Sequence, residues 1–395
     1  MSDSLTLTDS SSDARCVIIG ASHAGSQLAV NLRKHGWAGE IVLIGAEAEL
    51  PYHRPPLSKT VMAGSKTLDN ILLRPQAMYA SNNVSLRLAT AVQQIVPEQK
   101  RIVLADGETL VYDKLALCTG ARPIKLPLGD GLDGVCYLRS YADVETIKQH
   151  LQGRQRAVVI GAGYIGLEAA AVMAQMGLQV TVLERADRVL QRVTGEQVSQ
   201  YFTDLHCAHG VDIVCGAEVI GINGQHAVDS VSCADGTSYP ADIVIVGIGV
   251  TPETTLAQDA GLRIENGVYV DAHCRTSDAD IFAAGDCASY PDNRYRRRVR
   301  LESVQNANDQ ARIAAINICG GNDVYDVVPW FWSDQFDIKL QSVGLSDGFD
   351  EAQLDGSLDP ADPTGFVIQY FREGKLIAAD CVRRPKDFMA LKGKL

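Results

Sequence analysis

No two of the ten cysteines stand in a Cys-x-x-Cys spacing, so the chain offers no adjacent dithiol motif. Scattered thiols of this kind suit a reducing cytosol, and a cytoplasmic location is the expectation. No apolar run approaches the length of a membrane span. Residues 1–13 (MSDSLTLTDSSSD) lack the basic and apolar segments of a secretory signal and read as a disordered leader. Positive charge is in deficit: 36 Lys and Arg against 48 Asp and Glu leave a net charge of −12. That balance argues against nucleic acid or an anionic membrane as the main partner. Aromatics make up only 6% of the chain. What remains is ordinary soluble composition, 46% apolar over 395 residues, with room for two or three domain cores.

Against this background one stretch stands out. Residues 157–160 (AVVI) form a short apolar run without helical period, the pattern of a buried strand. Gly161-Ala162-Gly163-Tyr164-Ile165-Gly166 follows at once, and 167–176 continues as a helix that Gly177 ends. A second apolar run, 180–183, finishes on Glu184. In such a unit Gly161 makes the tight turn, Gly163 lets backbone approach a pyrophosphate, and Gly166 lets helix and strand pack closely. The helix start supplies free N–H groups for the phosphates. Glu184 lies 23 positions after Gly161, where a carboxylate can accept from a ribose 2′-OH. Strand, glycine turn, helix, strand and terminal acid together specify a dinucleotide site.

A second unit of this kind lies earlier. Strand 16–19 runs into Gly20-Ala21-Ser22-His23-Ala24-Gly25, with Ser22 in place of the middle glycine, then a helix over 26–35 and a strand over 41–44. The acid after that strand is displaced by Gly45-Ala46, which leaves Glu47 as the best ribose partner. The repetition goes further. Residues 105–123 and 234–252 share six identities at a constant offset of 129, at Ala105, Asp106, Gly107, Asp113, Gly120 and Pro123 of the first copy. Asp-Gly signals a type I′ hairpin, and the apolar run after each is a buried strand returning to the nucleotide site. The chain therefore reads as α/β with two Rossmann-like dinucleotide-binding domains. Two such domains imply electron transfer between two dinucleotides, FAD and a nicotinamide being the natural pair.

Other stretches carry residues of interest. Residues 51–59 (PYHRPPLSK) are stiff and proline-rich and lead into a helix, with Lys59 placed just beyond the first unit. In 276–286 (TSDADIFAAGD) a strand ends in Gly285-Asp286, where a carboxylate can bond a polyol such as a ribityl chain or else cap a following helix.

With these motifs in place the sequence resembles the FAD-dependent ferredoxin reductases of putidaredoxin-reductase and biphenyl-dioxygenase-reductase type, within the glutathione-reductase-like superfamily. The likeness runs from about Cys16 onward and rests on PYHRPPLSK, CTGARP (118–123), VIGAGYIGLE (159–168), TSDADIFAAGD, LESVQNANDQA (301–311) and PWFWSDQ (329–335). It implies a split FAD domain over 14–123 and 251–325, an NAD domain over 124–250, and a small α+β C-terminal domain over 326–395. It implies non-covalent FAD touched by Ala24, Lys59, Val92, Arg139, Asp286 and Val304, alongside Gly20, Gly25, Glu47, Thr119, Gly120 and Gly285. NADH falls to Gly161, Gly163, Ile165, Gly166, Glu184 and Gly249. By the same resemblance Glu168 lies near Lys59 by the flavin, and Trp332 matches the family's aromatic residue over the flavin–nicotinamide region. The usual FAD-ribose aspartate maps to Ala46.

Superfamily members that reduce disulfides carry a redox cysteine pair where this chain has PYHRPPLSK, so electrons cannot leave through a dithiol here. Lys59 and Glu168 would form a pair in which the lysine stabilises negative charge on reduced flavin. Glu184 would repel a 2′-phosphate and favour NADH, with Arg185 and Arg188 close enough to leave NADPH open. Arg294, Arg296, Arg297, Arg298 and Arg300 fall within seven positions of an acidic chain and, with Arg312 and a basic tail, suggest a docking patch for an acidic [2Fe–2S] ferredoxin. Residues 206–209 (HCAH) resemble a metal motif but read as surface at a helix end, and no metal is expected. The expectation is an NADH-dependent ferredoxin reductase serving a Rieske oxygenase or a cytochrome P450. A rubredoxin or monodehydroascorbate reductase is the alternative within the fold, and an apoptosis-inducing-factor-like signalling flavoprotein the alternative of another class.

Overall fold

A parallel strand covered on both faces has no polar side to alternate with, which is why the core strands read as unbroken apolar runs. The computed structural model describes residues 12–395; the leader expected over 1–13 lies outside the described residues except for Ser12 and Asp13. The chain divides into two units, one of residues up to 53, 71–122 and 251–327, the other of 54–70, 123–250 and 328–395.

In the first unit, five parallel strands stand in the order Ile281–Ala283, Lys114–Leu117, Arg15–Ile19, Glu40–Ile44, Val84–Arg87. The helices His23–Lys34 and Val304–Ile318 pack against each other. In the second unit the order is Asp212–Cys215, Gln179–Glu184, Arg156–Ile160, Ile243–Val246, Val135–Tyr137, again parallel. That unit also holds a five-stranded antiparallel sheet, Trp330–Gln335, Ile338–Gly344, Lys375–Val382, Phe366–Arg372, Glu351–Gly356, closed by the helix Pro385–Lys392. Among the described residues no helix is long and apolar enough to cross a membrane.

The offset of 129 is visible in the backbone. The returning strands Lys114–Leu117 and Ile243–Val246 occupy equivalent positions and pair in parallel with the first strand of their own unit. The repeated aspartate closes that pairing. Asp113 Oδ2 accepts from the Arg15 backbone N–H at 2.6 Å, and Asp242 Oδ2 from that of Arg156 at 3.0 Å. Asp242 also takes the Arg156 guanidinium at 2.6 Å, which with the backbone donors holds its carboxyl down at about 2.

Two local expectations need correction. The Asp-Gly hairpins are not type I′, because neither Asp106 nor Asp235 has positive φ. Each is a type I turn closed by a left-handed glycine, Gly107 (φ +90) and Gly236 (φ +88), a three-residue solution to the same reversal. The aspartates stay right-handed because their carboxylates accept from the N–H groups of Glu108 and Thr237, both at 2.9 Å. The dinucleotide helices also begin about three residues earlier than expected, at His23 and Tyr164, since the glycine turn hands over directly to helix. The C-terminal signal holds: Gly177 (φ +90) and Leu178 donate to Ala174 and Met173 in a Schellman motif.

A buried carboxyl inside the antiparallel sheet gives a stability prediction. Asp380, 2% exposed, accepts from Ser342 Oγ at 2.5 Å and Tyr370 Oη at 2.7 Å, with no cation bonded to it. Burial raises its carboxyl to about 6, against an ordinary value of 3.8. Between these values the folded protein keeps a proton that the unfolded chain has lost, so stability falls as pH rises from about 4 to 6. Asp380→Asn should flatten that slope and raise stability at pH 7 by about 2 kcal/mol. Urea unfolding at pH 4.5 and 7 reads it; an unchanged slope would exclude Asp380 as the source.

Candidate functional site

In the first unit three segments far apart in sequence meet at the start of one helix. Gly20 has φ +112, and a Cβ there would lie 2.0 Å from Cys118 O, so the first turn and residues 118–120 are in backbone contact. A Cβ on Gly25 would lie 2.0 Å from Gly20 O, the close helix–strand approach expected of that glycine. A Cβ on Gly285 would lie 3.2 Å from Ala24 Cβ and 3.7 Å from Ala307 Cβ. The N-terminal turns of His23–Lys34 and Val304–Ile318 therefore converge on Gly285, both with backbone N–H groups to offer an anion. Ser303 caps the second helix by accepting from the Asn306 N–H at 3.1 Å, which places Val304 as its first residue.

Asp286 follows that convergence and is succeeded by the strand Ala288–Asp292, so it caps no helix. Thr119 donates its hydroxyl to Glu253 O at 2.6 Å. Ala89 N–H donates to Glu47 O and Thr90 N–H to Gly45 O, which brings the segment leading to Val92 across the end of Glu40–Ile44. Glu47 itself takes a hydrogen bond from Tyr52 Oη. The small residues, two helix starts and flanking carboxylates fit a dinucleotide, and they are the flavin-side residues expected in this unit.

The second unit repeats the cradle with a larger opening. Gly161 has φ +103, and a Cβ would lie 2.5 Å from Gly247 O; on Gly166 it would lie 2.1 Å from Gly161 O. A Cβ on Gly163 would meet nothing within 4 Å, so the start of helix Tyr164–Gln175 faces open space. Ile165 is 38% exposed beside it. Glu184 accepts from the N–H groups of Ala162 at 2.6 Å and Ala186 at 2.8 Å, which fixes the carboxylate at the glycine turn. Gly249 (φ +116) lies against the Arg192 guanidinium. Arg188 is committed to Ser199 and Gln191, which leaves exposed Arg185 as the nearer cation available to a 2′-phosphate.

The same helix carries Glu168, 4% exposed, and the structure joins it to Lys59 at 2.6 Å. Lys59 sits in a single helical turn, Leu57–Val61, that packs against both this helix and Tyr141–Leu151. Its ammonium also donates to Pro55 O at 3.1 Å. Arg139 precedes the second of these helices, its carbonyl accepting from Arg54 at 2.7 Å. Glu168 has two further donors that spacing did not suggest, Ser58 Oγ at 2.5 Å and Ser333 Oγ at 2.6 Å. Strand alternation turns Phe331, Ser333 and Gln335 to one face and Trp332 to the other. Phe331 is the aromatic in contact with the fingerprint helix, 4.5 Å from Tyr164, and Trp332 stacks toward Trp330.

Residues 207–209 are exposed, as a surface segment should be, but His206 is not: it is fully buried and bonded to Gln335 at 2.8 Å. The reason is helical period, since Val198, Phe202 and His206 share one face of Glu196–Ala208. Among the described residues no group of His, Cys, Asp and Glu could hold a metal ion.

The thiols and arginines complete the account. All ten cysteines are free, and every thiol is pushed above its ordinary value with burial as the first cause. None is a nucleophilic thiolate. The arginine cluster is less free than its sequence suggests. Arg294 pairs with Asp326 at 2.8 Å, Arg300 with Glu302 at 2.7 Å, and Arg298 lies over the Tyr269 ring at 3.5 Å. Arg296 and Arg297 are exposed and Arg312 half-buried. In the tail, Arg383 and Arg384 are paired with Asp337 and Asp355.

Comparison with known proteins divides the chain between two families. Residues 14–311 match the family described as pyridine nucleotide-disulphide oxidoreductase, and 330–395 match the reductase C-terminal domain. A ferredoxin–NAD(P)(+) reductase of Sphingomonas sp is 45% identical, over 97% of this chain and 92% of its own. Putidaredoxin reductase of Pseudomonas putida is 44% identical over 94% and 89%. Among solved structures, the covalent putidaredoxin reductase–putidaredoxin complex aligns with a TM-score of 0.93 at 42% identity, covering 97% of this chain and 93% of that one.

Proposed function

The chain belongs to the pyridine nucleotide-disulphide oxidoreductase family, and from that premise we propose an NADH-dependent, FAD-containing ferredoxin reductase that passes electrons to a [2Fe–2S] ferredoxin of a Rieske oxygenase or cytochrome P450 system. One observation carries the reading: two dinucleotide cradles occur in a chain whose ten cysteines are all free, with none in residues 51–59. Electrons that enter as hydride then have no dithiol to leave by, and a one-electron carrier is the matching acceptor. The ferredoxin named with the solved relative, putidaredoxin, supports that class.

FAD, when bound, accepts a hydride and releases its electrons singly. The groups that would hold it are the two helix starts at His23 and Val304, with Gly20, Ala24, Gly25, Gly285, Thr119 and Gly120 giving close backbone approach. Asp286 and Glu47 accept from hydroxyls, Val92 supplies an apolar wall, and Lys59 and Arg139 add positive charge. Gly161, Gly163, Ile165, Gly166 and Gly249 would hold NADH, with Glu184 placed to accept from its ribose hydroxyl. Lys59 would stabilise negative charge on the reduced flavin, and Glu168 offsets the cost of burying the ammonium. Trp332 would shield the reacting region from water.

The purified protein should be yellow, and NADH should bleach it. NADH-driven cytochrome c reduction should rise sharply on adding an acidic [2Fe–2S] ferredoxin; a rise with rubredoxin alone would move the assignment to the rubredoxin branch, and a colourless protein would end it. Glu184→Gln should erode the preference for NADH over NADPH about tenfold, read as the ratio of kcat/KM values. We assign ferredoxin steering to the exposed Arg296 and Arg297, with Arg312 beside them in the basic set. Arg296→Glu should slow the ferredoxin step about threefold at low salt, the difference closing at high salt, with dye reduction unaffected.

A further inference from the structure

Behind Glu168 runs a line of buried polar groups that the proposed chemistry does not use. Ser333 Oγ bonds Glu168 Oε1 at 2.6 Å, Gln335 Nε2 bonds Ser333 Oγ at 3.3 Å, and Gln335 Oε1 meets His206 Nε2 at 2.8 Å. Ser333, Gln335 and His206 are all fully buried. The direction of each bond is forced from one end. The carboxylate paired with Lys59 can only accept, so the single hydroxyl proton of Ser333 points to it. Ser333 then faces Gln335 with a lone pair, and Gln335 must turn its amide N–H₂ that way. Its carbonyl is left for His206, which must donate from Nε2. Burial lowers the imidazole to about 4, so the ring is neutral and holds one proton, and Nδ1 is bare. Independently, Nδ1 is the ring atom found buried without a hydrogen-bond partner.

We propose that His206 is a positioning residue for the hydride step: through Gln335 and Ser333 it holds one oxygen of Glu168, which leaves the other oxygen to fix the Lys59 ammonium. The proposal rests on the reading of Lys59 and Glu168 given above. Ser58 and Lys59 share Oε2, whereas Oε1 depends on Ser333. A carboxylate released on that side can rotate, and the ammonium moves with it.

Two measurements on the FAD-loaded enzyme test this. Nitrogen-15 NMR of the histidine rings, with His206→Gln to identify the signal, should show the Nε2–H tautomer for His206, not titrating down to pH 5. An Nδ1–H tautomer or an imidazolium would overturn the chain outright. In stopped flow, His206→Leu should slow flavin bleaching at saturating NADH about fivefold with KM unchanged, and His206→Gln, whose amide can donate from the same place, should recover most of it. Ser333→Ala should show the same loss, and adding His206→Leu to it should cost nothing more. Equal losses in the leucine and glutamine variants, or a loss confined to KM, would refute a positioning role. If Lys59→Met leaves bleaching unchanged, the Lys59 reading falls, while the tautomer still decides the chain.

Discussion

Lys59→Met should reduce the rate of flavin bleaching by NADH about a hundredfold, the scale on which a preorganised charge at a reacting centre is lost. NADH affinity should hardly change, because the cradle of Gly161, Gly163 and Gly166 is built by a different segment. The substitution also leaves Glu168, 4% exposed, without its counter-charge. Removing one partner of a buried pair costs about 3 kcal/mol, and Ser58 and Ser333 soften that by their hydrogen bonds to the same carboxylate. The double change Lys59→Met with Glu168→Gln separates the two effects: stability should return while the rate does not. Recovery of both together would mean that the pair is a structural clamp. Stopped-flow bleaching and urea unfolding on the parent and the two variants decide between these outcomes.

Gly163→Val and Gly161→Ala should fail in opposite ways. A Cβ at 163 would meet nothing within 4 Å, and the backbone there is extended at φ −79. Valine is accommodated with stability within about 1 kcal/mol of the parent, the cost of a poorer N-cap. It fills the space that the pyrophosphate needs, however, and KM for NADH should rise about a hundredfold. At 161 even a methyl would lie 2.5 Å from Gly247 O, at φ +103. Gly161→Ala should therefore lose folded protein by about 3 kcal/mol, more than its loss of affinity. A Gly163→Val enzyme with normal KM would remove NADH from this cradle. A stable Gly161→Ala enzyme would deny the tight turn its role.

What the sequence revealed follows from what each interaction demands of its neighbours. The glycine turns were legible because only glycine tolerates the approach of Gly20 to Cys118 or of Gly161 to Gly247, and the elements on either side fix the spacing. The duplication at offset 129 was legible because sheet closure needs the same aspartate, hairpin glycine and returning strand in both halves. The Lys59–Glu168 pair came from resemblance and not from pattern. Its other partners stayed hidden: Ser333 reaches Glu168 across 165 positions, and a lone serine in an aromatic strand carries no signature. The burial of His206 does have a sequence signal, its four-residue spacing from Phe202 and Val198, which the metal-like pattern HCAH at the helix end masks. The arginine run failed for the opposite reason. Clustering in sequence said nothing of Asp326, Glu302 and Tyr269, which the fold brings to three of its five members.

The aspartate that ties the first strand to the returning strand in each unit has a broader consequence. Both nucleotide platforms are closed by the same device, so the division of labour between them was written over a shared foundation. It rests on a few departures around the turns: Ser22 against Gly163, and Ala46 with displaced Glu47 against Glu184. On the proposed assignment, one half is a permanent holder and the other a docking berth for a cofactor that comes and goes. A polypeptide made in this way carries its own internal reference, and each change of ligand preference can be weighed against a sibling site in the same molecule.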